Sequence, residues 1–442
     1  MTIEELREAV GEGRIDTVVL GFADMQGRLQ GKRFTAAHFL DTVLEQGSEA
    51  CNYLLAVDVE MNPAPGYEMA SWERGYGDFE MVPDLSTLRP TPWNEGSVVL
   101  LSDLQWHDHS PVLASPRHVL KAQLDRLAER GWSALAATEL EFIVFDESYR
   151  EATAMDYRDL TPANHYNLDY SILGGSYVEP LIRRIRNEMT AAGMVVENSK
   201  GECNLGQHEV NFRYAGALET ADDHVVYKTG AKEIAIQEGM SITFMAKYDE
   251  REGNSCHVHL SLRDGADAPV FADSPATFDS FLSGVLGSLR ELTLFHAPHV
   301  NSYKRFAEGS FAPTTVAWGH DNRTCAVRVL GDGMARRLEL RSPGADVNPY
   351  LTIAALIAAG LDGIDRELPA TPPLEGNAYT ADAERLPGSL REAQELFGSS
   401  ALARAAFGDE VVDHYVNCAQ VEIDAFSAAV TDWELRRGFE RF

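Results

Sequence analysis

The pattern of apolar and polar positions in the first part of this chain, about 105 residues, predicts short β-strands around one or two helices. Two β-like segments, residues 18–24 and 28–34, flank Met25-Gln26-Gly27, and this arrangement is typical of a β-hairpin. Two Pro/Gly-rich stretches follow at residues 61–67 and 72–78. They predict loops that are long enough to have a function of their own.

The pattern changes to helical spacing at Ser115 and Pro116, a residue pair that favours a helix start. Apolar residues then recur at i, i+4 and i+7 until Gly131, where we expect the helix to stop; they are Leu120, Leu124 and Leu127. Strands and helices alternate from there, and the last part of the chain is mainly helical. We therefore expect an α+β protein with a small N-terminal domain (residues 1–107) and a large C-terminal domain (residues 113–442).

Four segments of the second domain place charged and imidazole side chains on one strand face, because residues i and i+2 of a strand share a face. These faces hold Glu139 and Glu141; Glu209, Asn211 and Arg213; His257, His259 and Ser261; and Arg337, Glu339 and Arg341. Glu202 lies seven residues upstream of the third glutamate. Any half-solvated strand alternates in this way, so each segment alone is consistent with exposure to water. The near absence of lysine and the abundance of glutamate, histidine and arginine favour one shared cavity instead.

Strands that line one cavity would bring five glutamates, two histidines and several arginines together. Carboxylates that share a cleft repel one another or take up protons, and bound divalent cations remove this conflict. Carboxylate-rich ligands with an imidazole suit Mg²⁺ or Mn²⁺ better than zinc. Arginines suit phosphate and carboxylate groups. The set predicts metal-assisted phosphoryl transfer, although the chain has no GxxxxGK[ST] or GxGxxG nucleotide motif.

The composition of the 442 residues narrows the classes of partner. The chain has 45% hydrophobic residues and a formal net charge of −30, so it can build a sizeable core and repels nucleic acid and anionic lipid. Its five cysteines form no CxxC pair, and its charged N-terminus does not resemble a signal peptide. No apolar stretch is long enough to span a bilayer. We expect a cytoplasmic protein with neither nucleic-acid nor membrane partners.

Seven motifs resemble, in the same order, those of the glutamine synthetase family in its bacterial class I-like form. They are Glu-Leu-Glu-Phe (139–142), Gly-Gln-His-Glu (206–209), Cys-His-Val-His-Leu-Ser (256–261), Asn-Ser-Tyr-Lys-Arg (301–305), Asn-Arg-Thr (322–324), Arg-Arg-Leu-Glu-Leu-Arg (336–341) and Asn-Pro-Tyr-Leu (348–351). The resemblance covers nearly the whole chain. It implies a β-grasp N-terminal domain and a catalytic domain whose antiparallel sheet lines a funnel-shaped active site. It also implies a homo-oligomer, a dodecamer of two stacked hexameric rings, with active sites between neighbouring subunits.

The resemblance also implies roles for individual residues. Two to three Mg²⁺ or Mn²⁺ ions per site would be held by Glu141, Glu202 and Glu209 and by Glu139, His257 and Glu339. Glutamate would bind at Gly253, Arg305 and Arg341, and ATP at Glu197, His259, Ser261, Arg323, Arg328 and Arg337. In addition, Arg305 is implied to clamp the α-carboxylate of glutamate and Arg323 to stabilise the transferring phosphoryl group. The implied reaction joins L-glutamate to an amine through γ-glutamyl phosphate and releases ADP and phosphate.

Two departures from the family pattern concern the amine. Ammonia-using members carry a glutamate two residues before an Ala-Pro pair, and this chain has Phe311 there. Their N-terminal Asp-Gly-Ser-Ser loop is also missing, since residues 53–60 and the loop at 72–78 occupy that region. An apolar wall at Phe311 would favour an amine that carries carbon, because burying a methylene gains about 0.8 kcal/mol. The chain most resembles the actinobacterial members that act on ethanolamine, and next those that act on polyamines such as putrescine.

We therefore predict an ATP-dependent glutamate–amine ligase that uses ethanolamine, with a polyamine as the second choice. Two alternatives remain open: an ammonia-assimilating glutamine synthetase with an altered gate, and a catalytically inactive ring with a structural or regulatory role. Tyr379 lies near the position of a tyrosine that is adenylylated in some members, but its flanking residues differ, so we treat it as an ordinary loop tyrosine. Met334 stands where many members have a lysine near the nucleotide.

Overall fold

The computed structural model describes all 442 residues, which form two β-sheets with helices around them. The first sheet consists of β1 (Thr17–Ala23), β2 (Leu29–Thr35), β3 (Ser48–Cys51), β4 (Asp78–Pro83), β5 (Arg89–Pro90) and β6 (Ser97–Gln105). Its order is β2–β1–β6–β4–β3, and β5 pairs with β6. Strand β1 runs antiparallel to β2 and parallel to β6.

The predicted hairpin is confirmed by the antiparallel pairing of β1 with β2. In its turn, Gly27 has a φ of +72°, a left-handed conformation that favours glycine because glycine has no Cβ. Asp24 Oδ1 accepts hydrogen bonds from the backbone N–H groups of Gln26 and Arg28 at 3.0 and 2.9 Å, which fixes the turn. The predicted loop at residues 61–67 contains no helix and no extended strand, and the loop at 72–78 contains none before Asp78, where β4 begins.

The second sheet has nine strands and contains the four predicted polar faces. Its strands are β7 (Trp132–Phe145), β8 (Val196–Gly201), β9 (Gln207–Phe212), β10 (Ala215–Gly216), β11 (Ser241–Thr243), β12 (Cys256–Asp264), β13 (Trp318–His320), β14 (Val327–Leu330) and β15 (Arg337–Leu340). The order is β13–β14–β15–β12–β7–β9–β8, and both β10 and β11 pair with β7. Every pair except β13 with β14 is antiparallel, as expected.

The helices are concentrated in the second half of the chain. They are α1 (Ile3–Gly11), α2 (Ala36–His38), α3 (Leu44–Gln46), α4 (Pro116–Ala128), α5 (Tyr149–Ala154), α6 (Ile172–Gly175), α7 (Glu179–Ala191), α8 (Ala217–Gln237), α9 (Val270–Asp273), α10 (Pro275–Ser288), α11 (Thr293–His296), α12 (Pro349–Asp365), α13 (Leu390–Ser399), α14 (Ala401–Phe407), α15 (Asp409–Ala428) and α16 (Asp432–Gly438). Helix α4 confirms the predicted start after Ser115 and stop before Gly131, and α12 to α16 confirm the helical last part. None of these helices combines the length and apolar character that a bilayer span requires.

Helices cover one face of the second sheet and leave the other face to polar residues. Helices α4 and α8 pack on β7, and α12 packs against α4, α8 and α10. Helix α12 is buried on nearly all sides, as expected for a helix that is apolar all round. The apolar residues Leu140, Val258 and Leu338 of the sheet are also fully buried. Because strand residues alternate between faces, the polar residues between them lie on the uncovered face.

Arg117 at the start of α4 joins the N-terminal sheet to helix α8 through charged contacts. Its guanidinium is buried and donates to Asp84 and Asp103 of the N-terminal part at 2.6 Å each. It also donates to both carboxylate oxygens of Asp222 on α8 at 3.0 Å. Tyr350 OH on α12 donates to the same carboxylate at 2.6 Å. A buried cation with this many partners fixes the orientation of α4, α8 and α12 behind the site.

Candidate active site

The predicted polar faces come together on neighbouring strands. Strands β15, β12, β7 and β9 are adjacent in the second sheet. Glu139 on β7 lies opposite His257 on one side and Asn211 on the other, and Glu141 lies opposite Glu209. The four polar faces are therefore adjacent, as predicted, but they divide between two neighbouring cavities instead of one, and Glu139, Glu141 and Glu209 lie in the first cavity.

This cavity, which we call the acidic cavity, has a volume of about 480 Å³. Eleven predicted residues line it: Glu139, Glu141, Glu202, Glu209, Asn211, Gly253, His257, Phe311, Arg323, Arg328 and Arg341. Two predicted residues lie behind its walls, since Glu339 is 0% and Arg305 1% exposed. Arg213 was expected on the same strand face as Glu209, and this was wrong. It follows the end of β9, where it lines a separate small cavity against α8.

Glu141, Glu202 and Glu209 form the first carboxylate group of the acidic cavity, with one ligand atom from each within 4.8 Å of the others. Glu141 Oε2 accepts hydrogen bonds from the Ser255 N–H at 2.6 Å and from Gln207 Nε2 at 3.1 Å, which fix its orientation. Burial and the nearby Glu202 raise the pKa of Glu141 to about 8. Burial beside the other carboxylates raises the pKa of Glu209 well above its usual value. These three groups repel one another when they are ionised.

Glu139, His257 and Glu339 form the second group, again with one ligand atom from each within 4.8 Å of the others. His257 Nδ1 lies 3.1 Å from Glu139 Oε2 and 3.6 Å from Glu339 Oε1. Burial and the nearby Arg341 lower the pKa of His257 to about 4, so the imidazole is neutral at neutral pH. Burial tends to raise the pKa of Glu139, but hydrogen bonds from the two histidines outweigh this effect and lower it.

The donor atoms of both groups fit divalent cations. Together they offer five carboxylates and one neutral imidazole, and oxygen-rich sets of this kind are typical of Mg²⁺ and Mn²⁺ sites. His257 Nδ1 is the imidazole nitrogen that lies near these carboxylates, and its Nε2 is buried without a hydrogen-bond partner. The two groups share no member, so each can hold its own ion.

Lys200 of β8 is a site residue that sequence reasoning missed. Its Nζ contacts the Glu202 carboxylate, lies 3.9 Å from Asp169 and stands 4.7 Å above the ring centre of Tyr170. All four residues line the acidic cavity. The sequence does contain a pattern that indicates it: Asn198, Lys200 and Glu202 have the same i, i+2 spacing that identified the other polar strand faces. The expectation that the site contains almost no lysine overlooked this strand.

A second cavity of about 490 Å³ lies on the other side of Glu139. It contains four of the residues that the resemblance assigns to ATP: Glu197, His259, Ser261 and Arg337. Glu139, Asn198 and Asn211 line both cavities, so the two cavities share a wall. The pairing of β8 with β9 skips a residue between Val196 and Asn198, a β-bulge that turns Glu197 toward this second cavity. Met334 also lines it.

His259 connects the second cavity to the acidic cavity. Its Nε2 lies 2.9 Å from Glu139 Oε1, and Arg337 Nε donates to its Nδ1 at 3.2 Å. An arginine can only donate, so Nδ1 accepts and the ring hydrogen belongs to Nε2, which donates to Glu139. The orientation of Glu139 therefore depends on a residue of the second cavity.

The arginines that line the acidic cavity are held in different ways. Arg328 and Arg341 both donate to the buried Glu339 carboxylate, Arg328 at 2.9 Å. Arg328 Nε also donates to Asp321 at 2.9 Å. The exposed Arg323 makes no hydrogen bond or ion pair within the chain. Its charge is therefore free for a ligand.

Arg305 is buried directly behind the acidic cavity. Its guanidinium donates to Ser255 Oγ at 3.4 Å and to the backbone carbonyls of Arg341 and Ser342, and it forms no salt bridge. Burial lowers its pKa to about 10. Gly253 lies against it, because a Cβ there would be 2.8 Å from Arg305 Cγ and 2.3 Å from the Ala246 carbonyl oxygen. A side chain at this position would close the approach to the guanidinium.

Phe311 gives the acidic cavity an apolar surface. Its side chain is 54% exposed, and its φ of +58° lies in a region that non-glycine residues rarely adopt. Arg341 Nη2 donates to its carbonyl at 3.4 Å. Only 3 of the 20 residues that line this cavity are hydrophobic, so the ring stands out against polar surroundings.

Comparisons with known proteins agree with this geometry. The family model "Glutamine synthetase, catalytic domain" matches residues 113–438. The chain belongs to the glutamine synthetase family. Within this family, the γ-glutamylethanolamide synthetase GlnA4 of Streptomyces coelicolor is 63% identical over 99% of this chain and 96% of that protein. The glutamate–isopropylamine ligase of a Pseudomonas species is 38% identical over 98% of this chain and 97% of that protein. A solved GmaS/ADP complex matches with a TM-score of 0.86 and 28% identity over 98% of this chain and 99% of that chain.

Membership in the glutamine synthetase family confirms the resemblance that the seven motifs indicated and the α+β class. The ligases of this family use ATP and divalent metal ions, which agrees with the carboxylate groups of the acidic cavity. The roles of individual site residues stay predictions, and so do the domain boundaries and the oligomeric state.

Proposed function

We propose that this member of the glutamine synthetase family is an ATP-dependent ligase that joins the γ-carboxylate of L-glutamate to ethanolamine. The observation that carries the proposal is that two cavities of similar size share a wall at Glu139. Phosphoryl transfer needs a site for the acceptor and a site for ATP, held in contact so that one group can pass between them. Two relatives have an organic amine in their names, ethanolamine and isopropylamine, which supports an organic amine here.

The reaction proceeds in two steps that differ in charge. First, the γ-carboxylate of glutamate attacks the γ-phosphorus of ATP, ADP leaves, and γ-glutamyl phosphate forms. Then the neutral amine nitrogen attacks the acyl carbon, the bond from that carbon to the phosphate oxygen breaks, and the nitrogen releases one proton to the leaving phosphate or to water, so that the amide and inorganic phosphate form. The first step brings two anions together. Arg323, Arg328 and Arg337 border the two cavities, where their charges offset this repulsion, and Arg323 has no competing partner.

Two metal ions fit the two carboxylate groups. Glu141, Glu202 and Glu209 would hold one, and Glu139, His257 and Glu339 would hold the other. Mg²⁺ or Mn²⁺ matches these ligands, and such ions, when bound, supply positive charge beside the transferring phosphate. A cluster of Asp169, Glu202 and Cys203 at the edge of the same cavity has similar spacing. Because it shares Glu202 with the first group, we assign no separate ion to it.

Glutamate binds beside Gly253, Arg305 and Arg341 in this proposal. Arg305 supports it because its buried guanidinium contacts only a hydroxyl and backbone carbonyls, and a buried cation without a salt bridge gains from an anionic ligand. ATP occupies the second cavity, where Glu197, His259 and Ser261 offer polar contacts. The mixed lining of that cavity, which includes Leu135 and Tyr214, suits a base and a ribose.

The amine binds against Phe311. Ammonium carries no carbon, so an aromatic wall offers it only a cation–π contact, whereas the methylenes of ethanolamine also gain about 0.8 kcal/mol each when they are buried. A polyamine carries a second ammonium group that needs another anionic contact. Five acidic residues of the sequence are candidates for that contact, and none of them lines the acidic cavity: Asp58, Glu60, Glu73, Asp78 and Glu308. Asp58 and Glu60 line a different cavity, and Glu308 pairs with Arg385 at 3.3 Å. This distribution favours ethanolamine over a polyamine.

We also propose that each subunit has an N-terminal domain (residues 1–107) and a catalytic domain (residues 113–442). We propose that these subunits form a homo-oligomer, a dodecamer of two hexameric rings. Several large apolar side chains are exposed, which is unfavourable in water unless a neighbouring subunit covers them. They include Ile172 and Leu173 at α6, at 90% and 78% exposure, and Trp433 and Phe439 near the C-terminus, at 66% and 90%. Light scattering of the purified protein measures the number of subunits.

A phosphate-release assay tests the proposed substrate. The assay contains glutamate, ATP and Mg²⁺, with ammonium, methylamine, ethanolamine, putrescine or spermidine as the amine. We expect the highest kcat/KM with ethanolamine. A higher kcat/KM with ammonium than with any organic amine would make the protein an ordinary glutamine synthetase, and no turnover with any amine would favour the inactive ring.

The variant Phe311→Glu tests the amine pocket itself. A carboxylate at this position supplies a counter-charge for ammonium and removes the apolar wall. We expect the ratio of kcat/KM for ammonium to that for ethanolamine to rise by at least about tenfold, which corresponds to about 1.4 kcal/mol. Phe426→Glu makes the same chemical change at a 46% exposed position outside both cavities, and it should leave the ratio unchanged.

A further inference from the structure

A short 3₁₀ turn, Ala378–Thr380, lies between two loops that border the acidic cavity. The first residue of this turn, Ala378, forms hydrogen bonds through both its carbonyl and its N–H group. Thr315 Oγ1 donates to the Ala378 carbonyl at 3.0 Å, and the Ala378 N–H donates to Thr324 Oγ1 at 2.9 Å. Thr324 directly follows Arg323. The turn therefore ties the loop of the free arginine to the chain that follows the Phe311 loop.

Tyr379 extends from this turn to the residue next to Phe311. It is 7% exposed, and its hydroxyl donates to the Ala312 carbonyl at 3.1 Å. The preceding carbonyl, that of Phe311, accepts from Arg341 Nη2 at 3.4 Å. Two consecutive carbonyls are thus each held by a hydrogen bond. Arg341 of the acidic cavity holds the Phe311 carbonyl, and Tyr379 holds the Ala312 carbonyl.

The backbone of Phe311 needs such support. A φ of +58° is unfavourable for an aromatic residue and persists only where surrounding contacts hold it. This backbone conformation determines where the exposed ring of Phe311 points in the acidic cavity. Removing one of the two carbonyl contacts leaves the residue free to relax toward a common conformation.

We infer that Tyr379 is a positioning residue for the amine. Its hydroxyl holds the Ala312 carbonyl in place. Because Ala312 directly follows the strained Phe311, this contact also keeps the Phe311 ring in the position where it forms the wall of the amine pocket. The inference rests on the proposed role of Phe311 and extends it to a residue outside the cavity. Because the hydroxyl bonds to the backbone and not to a substrate, its loss changes amine binding and selection more than it changes ATP binding.

Steady-state kinetics of Tyr379→Phe test this role. Loss of one buried neutral hydrogen bond corresponds to a change of about threefold to tenfold. We expect kcat/KM for ethanolamine to fall by that factor through a higher KM, with the KM for ATP unchanged. Tyr415→Phe is the matched control, because Tyr415 is buried and its hydroxyl donates to the Ala114 carbonyl at 2.8 Å away from both cavities. It should leave both KM values unchanged.

A double-mutant cycle with Phe311→Ala separates positioning from general loosening. If Tyr379 acts through Phe311, the double variant loses no more kcat/KM for ethanolamine than Phe311→Ala alone. Additive losses, or equal losses for ATP, glutamate and amine, would overturn the inference. Thr315→Val removes the hydrogen bond from Thr315 Oγ1 to the carbonyl of Ala378, the residue before Tyr379. It therefore loosens the same turn without changing Tyr379 and can replace Tyr379→Phe in the cycle if that variant does not fold.

The amine panel with the unmodified protein separates the two proposals. If ethanolamine is not used, the proposed substrate is wrong, and the Tyr379 variant is then measured with the amine that is used. If ethanolamine is used and Tyr379→Phe behaves like the unmodified protein, only the positioning role is wrong.

Discussion

Glu139 and His259 are joined by a 2.9 Å hydrogen bond at the wall that the acidic cavity shares with the second cavity. Glu139 belongs to the proposed ligands of the second metal, while His259 belongs to the cavity proposed for ATP. The bond therefore links the proposed nucleotide site directly to the proposed metal site. A change in the orientation of the His259 ring would therefore alter the orientation of Glu139, a proposed metal ligand.

The variant His259→Ala removes this link. Glu139 loses an orienting donor and Arg337 loses its acceptor, and loss of a group that orients a metal ligand typically lowers affinity or activity about 10-fold to 100-fold. We expect a loss of that size in kcat/KM, together with a higher Mg²⁺ concentration for half-maximal rate. His320→Ala serves as the control, since His320 is exposed and lines neither cavity. An unchanged Mg²⁺ requirement would contradict the link.

The variant Arg323→Ala should affect the rate without affecting stability. The side chain makes no hydrogen bond or ion pair within the chain, so the melting temperature should not change. A preorganised charge at a transferring phosphoryl group is worth about 10²-fold to 10³-fold in kcat. Stopped-flow or steady-state phosphate release measures the rate, and a thermal melt measures stability. A kcat equal to that of the unmodified protein would remove Arg323 from the mechanism.

The variant Arg341→Ala makes a useful contrast, because Arg341 is buried and donates to the Glu339 carboxylate. Its loss should lower both the rate and the melting temperature.

The effect of divalent metal on stability should grow with pH. Burial and Glu202 raise the pKa of Glu141 from 4.5 to about 8, and Glu209 shifts in the same direction. Between these values the folded metal-free protein holds protons that the unfolded chain has released, so its stability falls as pH rises. A metal ion replaces those protons and binds more readily when they have already left.

Thermal melts with EDTA and with excess Mg²⁺, at about pH 6 and about pH 8, measure this effect. We expect Mg²⁺ to raise the melting temperature more at the higher pH. Glu141→Gln removes one of the protonated ligands and should reduce the difference. An increase that is the same at both pH values would mean that Glu141 is ionised without metal, or that it does not bind metal.

Arg117 should be essential for stability rather than for chemistry. Replacing it by methionine leaves the buried Asp222 without its cation, and breaking a buried pair in this way costs about 3–5 kcal/mol. Chemical denaturation followed by circular dichroism measures the loss. The control Arg366→Met removes an exposed pair with Asp362, which is worth less than about 1 kcal/mol. Equal effects of the two variants would contradict the role of Arg117.

Much of the site was predictable because strand periodicity is a local property. The alternation around Glu139, His257 and Glu339 is visible in any single segment and identifies a face without knowledge of the fold. The residue types on those faces indicated metal and phosphate chemistry. The same local rule failed at Arg213, because β9 ends at Phe212 and the face does not continue past the strand.

Other features depend on contacts between distant segments and carry no local signal. Arg305 proved to be buried behind the acidic cavity, because the turn containing it packs beneath Ser255. The contact of Tyr379 with Ala312 joins residues 67 positions apart, so no spacing rule could indicate it. The division of the site into two cavities with one shared wall was likewise not visible in the sequence.

The amino-acid sequence by itself determined which chemistry this protein can carry, since the strand faces supply carboxylates, imidazoles and guanidinium groups through backbone geometry alone. Only the tertiary structure decided which of these groups lie in contact. It places Arg328 and Arg341 in hydrogen bonds with Glu339 and leaves Arg323 free for a ligand. The physical reason is that side-chain direction follows from two dihedral angles per residue, whereas contact depends on the packing of whole elements. Burial and neighbouring charge, which set the pKa of Glu141, exist only after that packing.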